Sequence, residues 1–324
     1  MAELRYLHAV NKALDDALTA DPAVILFGED VGEAGGSFGA TRGLRDRHGP
    51  GRVRDTPISE ATIAGAAVGA ALSGLKPVIE IMFMDFTTLV MDAMVNQAAK
   101  ARFMFGGQRS VPMVLRTPHG GGLGAGPQHS QCLEAWFAHV PGLKVVCPAD
   151  PVSAYGLLRA AIDDPDPVIV VENKALYAMK VSAPERLDVI PIGQAATVRP
   201  GRDVTIVAYG AAVKTAREAA ERLAAEGIEA EVIDLRSLQP WDEAAVLASL
   251  SRTHRLVVVH EAVEAFGIGG EVAARMADVG FDELDGPIVR VGAPFMPVPF
   301  SRALESAYQP GLDRVVAAVR RTLE

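Results

Sequence analysis

Residues 126–139 read GPQHSQCLEAWFAH. His129 and His139 stand ten positions apart with Cys132 between them, and His119 lies ten positions upstream of His129. A histidine exchanges protons near neutral pH, and a cysteine beside one can be a nucleophile. The run GGGLGAGPQ before His129 puts few side chains between the backbone and an approaching ligand. His129 is therefore a candidate for proton transfer, with a capping or loop histidine as the alternative. Cys132 has apolar flanks and is expected to pack, with Trp136, into a helix behind His129. His139, just before VPG, is expected to have a structural or interface role.

A second candidate lies in DTPISEATIAGAAVGAAL, residues 55–72. Ser59 suits a helix N-cap and Glu60 falls in the first turn, where free N–H groups and the helix dipole favour a carboxylate in any case. The alternative is an acid at work in a site. The Ala- and Gly-rich helix behind it permits close approach of another helix or subunit. A third candidate is Phe86, where strand 77–82 hands over to a helix over 86–103. Such a phenylalanine is ordinarily core, yet a flat ligand ring can stack on it. This helix carries Phe86, Leu89, Val90, Met94 and Phe103 over more than one face, as expected when a helix packs on a partner as well as on its own sheet.

The elements that must position these residues alternate. Short apolar runs at 23–27, 77–82, 111–116, 143–147 and 167–172 predict strands buried on both faces of a parallel sheet. Helices are predicted near 4–20, 60–73, 86–103 and 152–163. Residues 174–203 are punctuated by Pro184, Pro191 and Pro200. A second alternation follows, with strands at 204–210, 228–234, 255–261 and 288–292 and helices near 211–226, 242–250, 268–279 and 311–323. The expected fold is α/β in two domains, residues 1–185 and 204–324, joined by a linker at 186–203. In open α/β sheets ligands sit beyond the carboxyl ends of strands, and His119, His129 and Phe86 all follow strand runs.

The 324 residues are 49% hydrophobic and 22% charged, enough apolar material for two cores. The net charge of −9 disfavours nucleic acid as a partner. No apolar stretch is long enough to predict a membrane span, and the charged N-terminus predicts an amphipathic helix, not a signal peptide. Two cysteines, Cys132 and Cys147, make a disulfide framework unworkable and fit a reducing cytoplasm. Neither G-x-G-x-x-G, a P-loop nor H-E-x-x-H occurs. GGSFG, residues 35–39, formally matches the nucleophile elbow of serine hydrolases. Ser37 lies well beyond the end of strand 23–27, however, where a true elbow is a sharp strand-to-helix turn. A hydrolase using Ser37 is the remote alternative.

RVRDTPISEATIAGAA, IEIMFMDF, VNQAAKARFMFGG, VPMVLRTPHGGG, QHSQCLEAWFAHVPGLKVVCPADP, DPVIVVENKALY and VIDLRSLQPWD occur in that order. Together they strongly resemble the beta subunit of the thiamine-diphosphate-dependent 2-oxo acid dehydrogenase component. This is the decarboxylating enzyme of pyruvate and branched-chain 2-oxo acid dehydrogenase complexes, and acetoin dehydrogenase has a similar subunit. The likeness spans nearly the whole chain.

The resemblance implies an N-terminal pyrimidine-binding domain and a C-terminal transketolase-like domain. It implies that Glu60 hydrogen-bonds the aminopyrimidine ring nitrogen opposite the exocyclic amine. The imino tautomer favoured in this way takes the proton from the thiazolium carbon, while the protein orients and tunes the cofactor. Phe86 would lie against the pyrimidine. His129 would stabilise or protonate the decarboxylated intermediate and assist transfer to a lipoyl group. In some relatives a structural potassium ion is held by backbone carbonyls at the positions of Met113, Ala161, Ile162, Asp164 and Asp166.

One absence matters. No GDG motif occurs, so the magnesium and diphosphate ligands are expected from an alpha subunit in a heterotetramer of two alpha and two beta chains. A lipoylated acyltransferase core is the further expected partner. Pyruvate is the expected substrate, with branched-chain 2-oxo acids next and acetoin third.

Overall fold

The computed structural model describes residues 2–324. Contacts divide the chain into two compact units. The first holds Met1–His119 and Trp136–Ile192; the second holds Gly120–Ala135 and Gly193–Glu324. The segment carrying His129 packs with the second unit, through bonds to residues far along the chain.

In the first unit, strand β1 (Ala2–Arg5) leads into helix α1 (Tyr6–Ala20). There follow β2 (Val24–Gly28), α2 (Leu44–His48), β3 (Val53–Asp55), α3 (Glu60–Leu72) and β4 (Lys76–Glu80). After α4 (Ala99–Met104) come β5 (Val114–His119), α5 (Glu134–Ala138), whose first two residues belong to the second unit, β6 (Lys144–Val146), α6 (Pro151–Asp163), β7 (Val168–Asn173) and β8 (Lys180–Ala183). The main sheet runs β6-β7-β5-β4-β2-β3, every pair parallel. All five residues of β2 and all six of β5 and of β7 are buried. Each large apolar side chain taken fully inside contributes about 1.5–3 kcal/mol. β1 and β8 form a separate antiparallel pair.

Two local departures from the sequence expectation have physical causes. β5 starts at Val114 rather than Val111, with the Met113 N–H turned back to the Val111 carbonyl at 2.8 Å, and it runs on to end at His119. The predicted helix over 86–103 is a composite: a 3₁₀ stretch at Met84–Val90, a π stretch at Asp92–Ala98, then α4. In the 3₁₀ stretch the hydroxyls of Thr87 and Thr88 donate to the carbonyls of Met84 and Asp85, at 2.6 and 3.1 Å. Back-bonding of this kind competes with regular helix. α6 is conventional. Asp150 accepts the Ser153 N–H at 2.8 Å while Ser153 caps in return, and Pro151 opens the helix.

The second unit contains β9 (Ala196–Arg199), β10 (Val204–Ala208), α7 (Ala212–Ala224), β11 (Ala230–Asp234) and a short strand β12 (Ser237–Gln239). Then come α8 (Glu243–Thr253), β13 (Leu256–Val263), α9 (Ile268–Val279), β14 (Val289–Ala293), α10 (Arg302–Tyr308) and α11 (Leu312–Leu323). Its sheet runs β14-β13-β10-β11-β9, parallel except for β9 at the edge. α10 does not follow from the sequence: the preceding PFMPVPF, with its three prolines, masks a helix of only seven residues.

Candidate active site

In the first unit the chain goes from β2 out to β3, then returns to β4 on the other flank of β2. The reversal between β2 and β4 is where ligands gather in open α/β sheets, beyond the strands' carboxyl ends. Glu29 follows β2 directly, Glu60 opens α3 after β3, and Phe86 lies in the 3₁₀ stretch after β4. Glu60 is 8% exposed and Glu29 6%. Burial, and then the neighbouring Glu60 carboxylate, push the Glu29 carboxyl above its ordinary range. No basic side chain pairs with either residue among the described residues. Ser59 occupies the N-cap position but its side chain makes no capping bond. The helix dipole is worth about 0.3–1 kcal/mol to a carboxylate in the first turn. That is small against the cost of burying one carboxylate beside another. A bound hydrogen-bond donor is what this arrangement suits.

Phe86 is half-buried. Its ring meets Phe83 edge-on, with centroids 5.7 Å apart and planes at 75°. Phe83 continues to Phe38 at 5.9 Å and Phe38 to Tyr177 at 5.2 Å. The aromatic run fixes the wall beside which a flat ring can stack.

Sequence reasoning missed a charged set on the same sheet. Arg116 of β5 donates to Glu80 of β4 at 2.7 Å and to both oxygens of Glu172 of β7 at 2.7 and 2.9 Å. The Tyr177 hydroxyl adds a fourth bond, to Glu172 at 2.9 Å. Burial alone would lower the Arg116 pKa, but Glu172 and Glu80 more than reverse this and hold it charged. Burial pushes the Glu80 carboxyl up, against the pull of Arg116. Glu29 was missed as well. The signal for Arg116, Glu80 and Glu172 is common: each is a charged residue within an otherwise apolar strand run.

His119 is the last residue of β5 and is 2% exposed, with Nε2 3.8 Å from the Sγ of Cys147. It lies in the strand, not in the loop beyond it. Ser37 sits exposed on a glycine-rich turn well past β2, so no strand–elbow–helix exists there. This removes the hydrolase alternative.

In the second unit His129 is half-buried, and its N–H donates to the Gly126 carbonyl at 3.3 Å. Downstream, the buried Glu134 accepts the Tyr209 hydroxyl at 2.8 Å. The Tyr209 ring stacks on His260 at 5.9 Å and 22°. Burial lowers the His260 pKa. Two expectations fail here. Cys132 is only half-buried and precedes α5, and Trp136 is 51% exposed, so neither packs as a buried helix face. The run after His129 is too short and too broken to bury an apolar stripe. His139 is exposed.

Met113, Ala161, Ile162, Asp164 and Asp166 lie around the end of α6 and the start of β5 and β7. The Ala161 carbonyl accepts the Asp164 N–H at 3.4 Å and the Met113 carbonyl the Val168 N–H at 3.0 Å. Lys144 Nζ lies 2.6 and 2.7 Å from the Asp164 carboxylate oxygens. Carbonyls in a helix's last turn lack helical partners, and the dipole there favours a cation.

Residues 2–180 match the family described as "Transketolase, pyrimidine binding domain", and residues 193–315 match "Transketolase, C-terminal domain". The class is thus the transketolase-type, thiamine-diphosphate-linked α/β proteins. The chain is 47% identical over 324 residues to the pyruvate dehydrogenase E1 component subunit beta-2, mitochondrial, of Oryza sativa subsp. japonica, covering 98% of this chain and 86% of that one. It is 48% identical over 327 residues to the acetoin:2,6-dichlorophenolindophenol oxidoreductase subunit beta of Bacillus subtilis (strain 168), covering 97% and 96%. A solved structure described as a split-gene transketolase, inactive beta4 tetramer, superposes with a TM-score of 0.82 at 25% identity over 99% and 98% of the two chains. The chain belongs to the family of E1-type beta subunits of 2-oxo acid dehydrogenase components.

Proposed function

We propose that this chain supplies the pyrimidine side of a thiamine diphosphate site in a component that oxidatively decarboxylates pyruvate and passes the acyl group to a lipoyl carrier. The observation that carries this reading is Glu60: buried, beside a second buried carboxylate, and without a cationic partner among the described residues. Bound thiamine diphosphate supplies a carbon nucleophile and an electron sink. Glu60 holds a hydrogen bond to the pyrimidine ring nitrogen and sets the ring's proton distribution. Phe86 orients the ring by stacking. His129 holds or moves a proton at the acyl carbon's oxygen. Residues 1–185 provide the pyrimidine side and 204–324 the assembly side, joined by 186–203.

The chain has no GDG segment, so magnesium and the diphosphate fall to an alpha subunit, in a heterotetramer of two chains of each kind that docks on an acyltransferase core. A potassium ion at Met113, Ala161, Ile162, Asp164 and Asp166 completes the reading. Replacing potassium with tetramethylammonium should then lower the midpoint of thermal unfolding.

Acetoin is the second reading, favoured by the Bacillus subtilis relative, which this chain matches over 96% of its length. Reconstitution with an alpha subunit carrying GDG, assayed on pyruvate, 3-methyl-2-oxobutanoate and acetoin, tests both. Greatest turnover on pyruvate is expected. Turnover by the lone beta chain would overturn the shared-site reading.

A further inference from the structure

The second unit holds its glycine loop in an unusual way. The Gly122 and Gly124 N–H groups donate to the two carboxylate oxygens of Glu305 at 2.8 and 2.9 Å. The Gly121 N–H donates to Glu261 at 2.6 Å, and the Gln309 side chain donates to the same Glu261 oxygen at 3.2 Å. Glu305 is 2% exposed, on α10. Three backbone N–H groups within four residues of the loop are thus bound by two carboxylates, an arrangement in which anions sit among amides. Charge-assisted bonds of this kind are about twice as strong as neutral ones.

The grip continues toward His129. Gly126 has φ +75, and a Cβ there would lie 2.1 Å from the Phe300 ring. Only glycine tolerates both conditions. The Gly126 carbonyl accepts the His129 N–H. α10 and the segment before it therefore fix Gly122, Gly124 and Gly126, and through Gly126 the backbone of His129.

We propose that Glu305, with Glu261 as a second anchor, is a positioning residue for His129: its carboxylate clamps the glycine loop so that the imidazole stays aligned. This rests on the reading that His129 acts in the reaction. The geometry explains why a loop of five glycines in seven residues, which has little stiffness of its own, can carry a residue that must be held still. A small misplacement of a reacting group costs about a hundredfold in rate.

The test is a mutant cycle in enzyme reconstituted with its alpha subunit. Glu305→Gln replaces one acceptor by an NH2 group facing a backbone N–H. It should lower kcat roughly ten- to hundredfold, with KM for the 2-oxo acid changed less than threefold. Glu305→Asp keeps both acceptors and should recover part of the rate. In a His129→Ala background, Glu305→Gln should cost less than a further twofold, because a residue acting through His129 has nothing left to position. Equal losses in both backgrounds, or no loss with His129 present, would overturn the clamp. Should Glu305→Gln not assemble, Glu261→Gln on the less buried carboxylate is put through the same cycle: a loss confined to the His129 background supports the proposal, and equal losses overturn it. A harmless His129→Ala would instead remove the underlying role of His129. Amide exchange in the unmutated enzyme then decides the clamp separately, since Gly122 and Gly124 must be protected if it exists.

Discussion

Two acidic pairs sit on one sheet of the first unit and are treated in opposite ways. Glu80 and Glu172 share Arg116, and Glu172 also takes the Tyr177 hydroxyl. Glu29 and Glu60, beyond β2 and at the head of α3, are also buried, less deeply than Glu172, but among the described residues have no guanidinium or ammonium between them. Burying a carboxylate without a partner is costly, and proteins meet that cost with a paired charge or leave it where a ligand will meet it. The paired set is a brace between three strands. The uncompensated set lies beyond the strands' carboxyl ends, where the proposed cofactor site falls.

The largest expected effect breaks the uncompensated pair. Glu60→Ala in the reconstituted enzyme should lower kcat by about 10²–10⁴, the range for a group that handles a proton in the reaction. The midpoint of thermal unfolding of the same variant should hold or rise, since a carboxylate repelling Glu29 has been removed. Retention of more than a tenth of the activity would erase the functional side of the comparison.

Arg116→Met breaks the brace. It strands two buried carboxylates, and loss of one partner from a buried ion pair costs about 3–5 kcal/mol. Denaturant unfolding should read a loss of that size. A loss under about 1 kcal/mol, the scale of an exposed ion pair, would mean that the triad is dispensable.

The two sets also differ in how legible they were. β2, β7, β10 and α6 follow from apolar runs, Pro151 and Asp150, because local sequence decides them. Glu60, Phe86 and His129 each remained ambiguous on spacing alone, since a first-turn carboxylate or a post-strand phenylalanine is ordinary. Their agreement along the chain singled them out through family resemblance. Arg116, Glu80 and Glu172 come from three strands that are far apart in sequence, and only the parallel register sets Glu80 opposite Arg116. Periodicity carries no such pairing. The same holds for Glu305 and the glycine loop, about 180 residues apart, which also explains why residues 120–135 belong with the second unit.

Tyr177→Phe trims the brace without breaking it. The hydroxyl's bond to Glu172 is buried, so its removal should cost about 1–2 kcal/mol in unfolding experiments. No measurable cost would show that Arg116 alone satisfies Glu172.

The smallest effect is a slope. Burial and the Glu60 carboxylate raise the Glu29 carboxyl above its unfolded value. A carboxyl raised in this way binds its proton more readily in the folded state. Its contribution to stability is full below the ordinary carboxylate range and is lost as pH rises through the raised value. Glu29→Gln removes that loss. The variant should therefore gain stability over the parent at pH 8 and gain less at pH 5, by denaturant unfolding at each pH. Tyr177→Phe, which alters the brace without removing a group that titrates between these values, should show the same cost at both. An equal difference at pH 5 and pH 8 for Glu29→Gln would mean that Glu29 is relieved by a partner after all, and the contrast between the two acidic pairs would fail at its root.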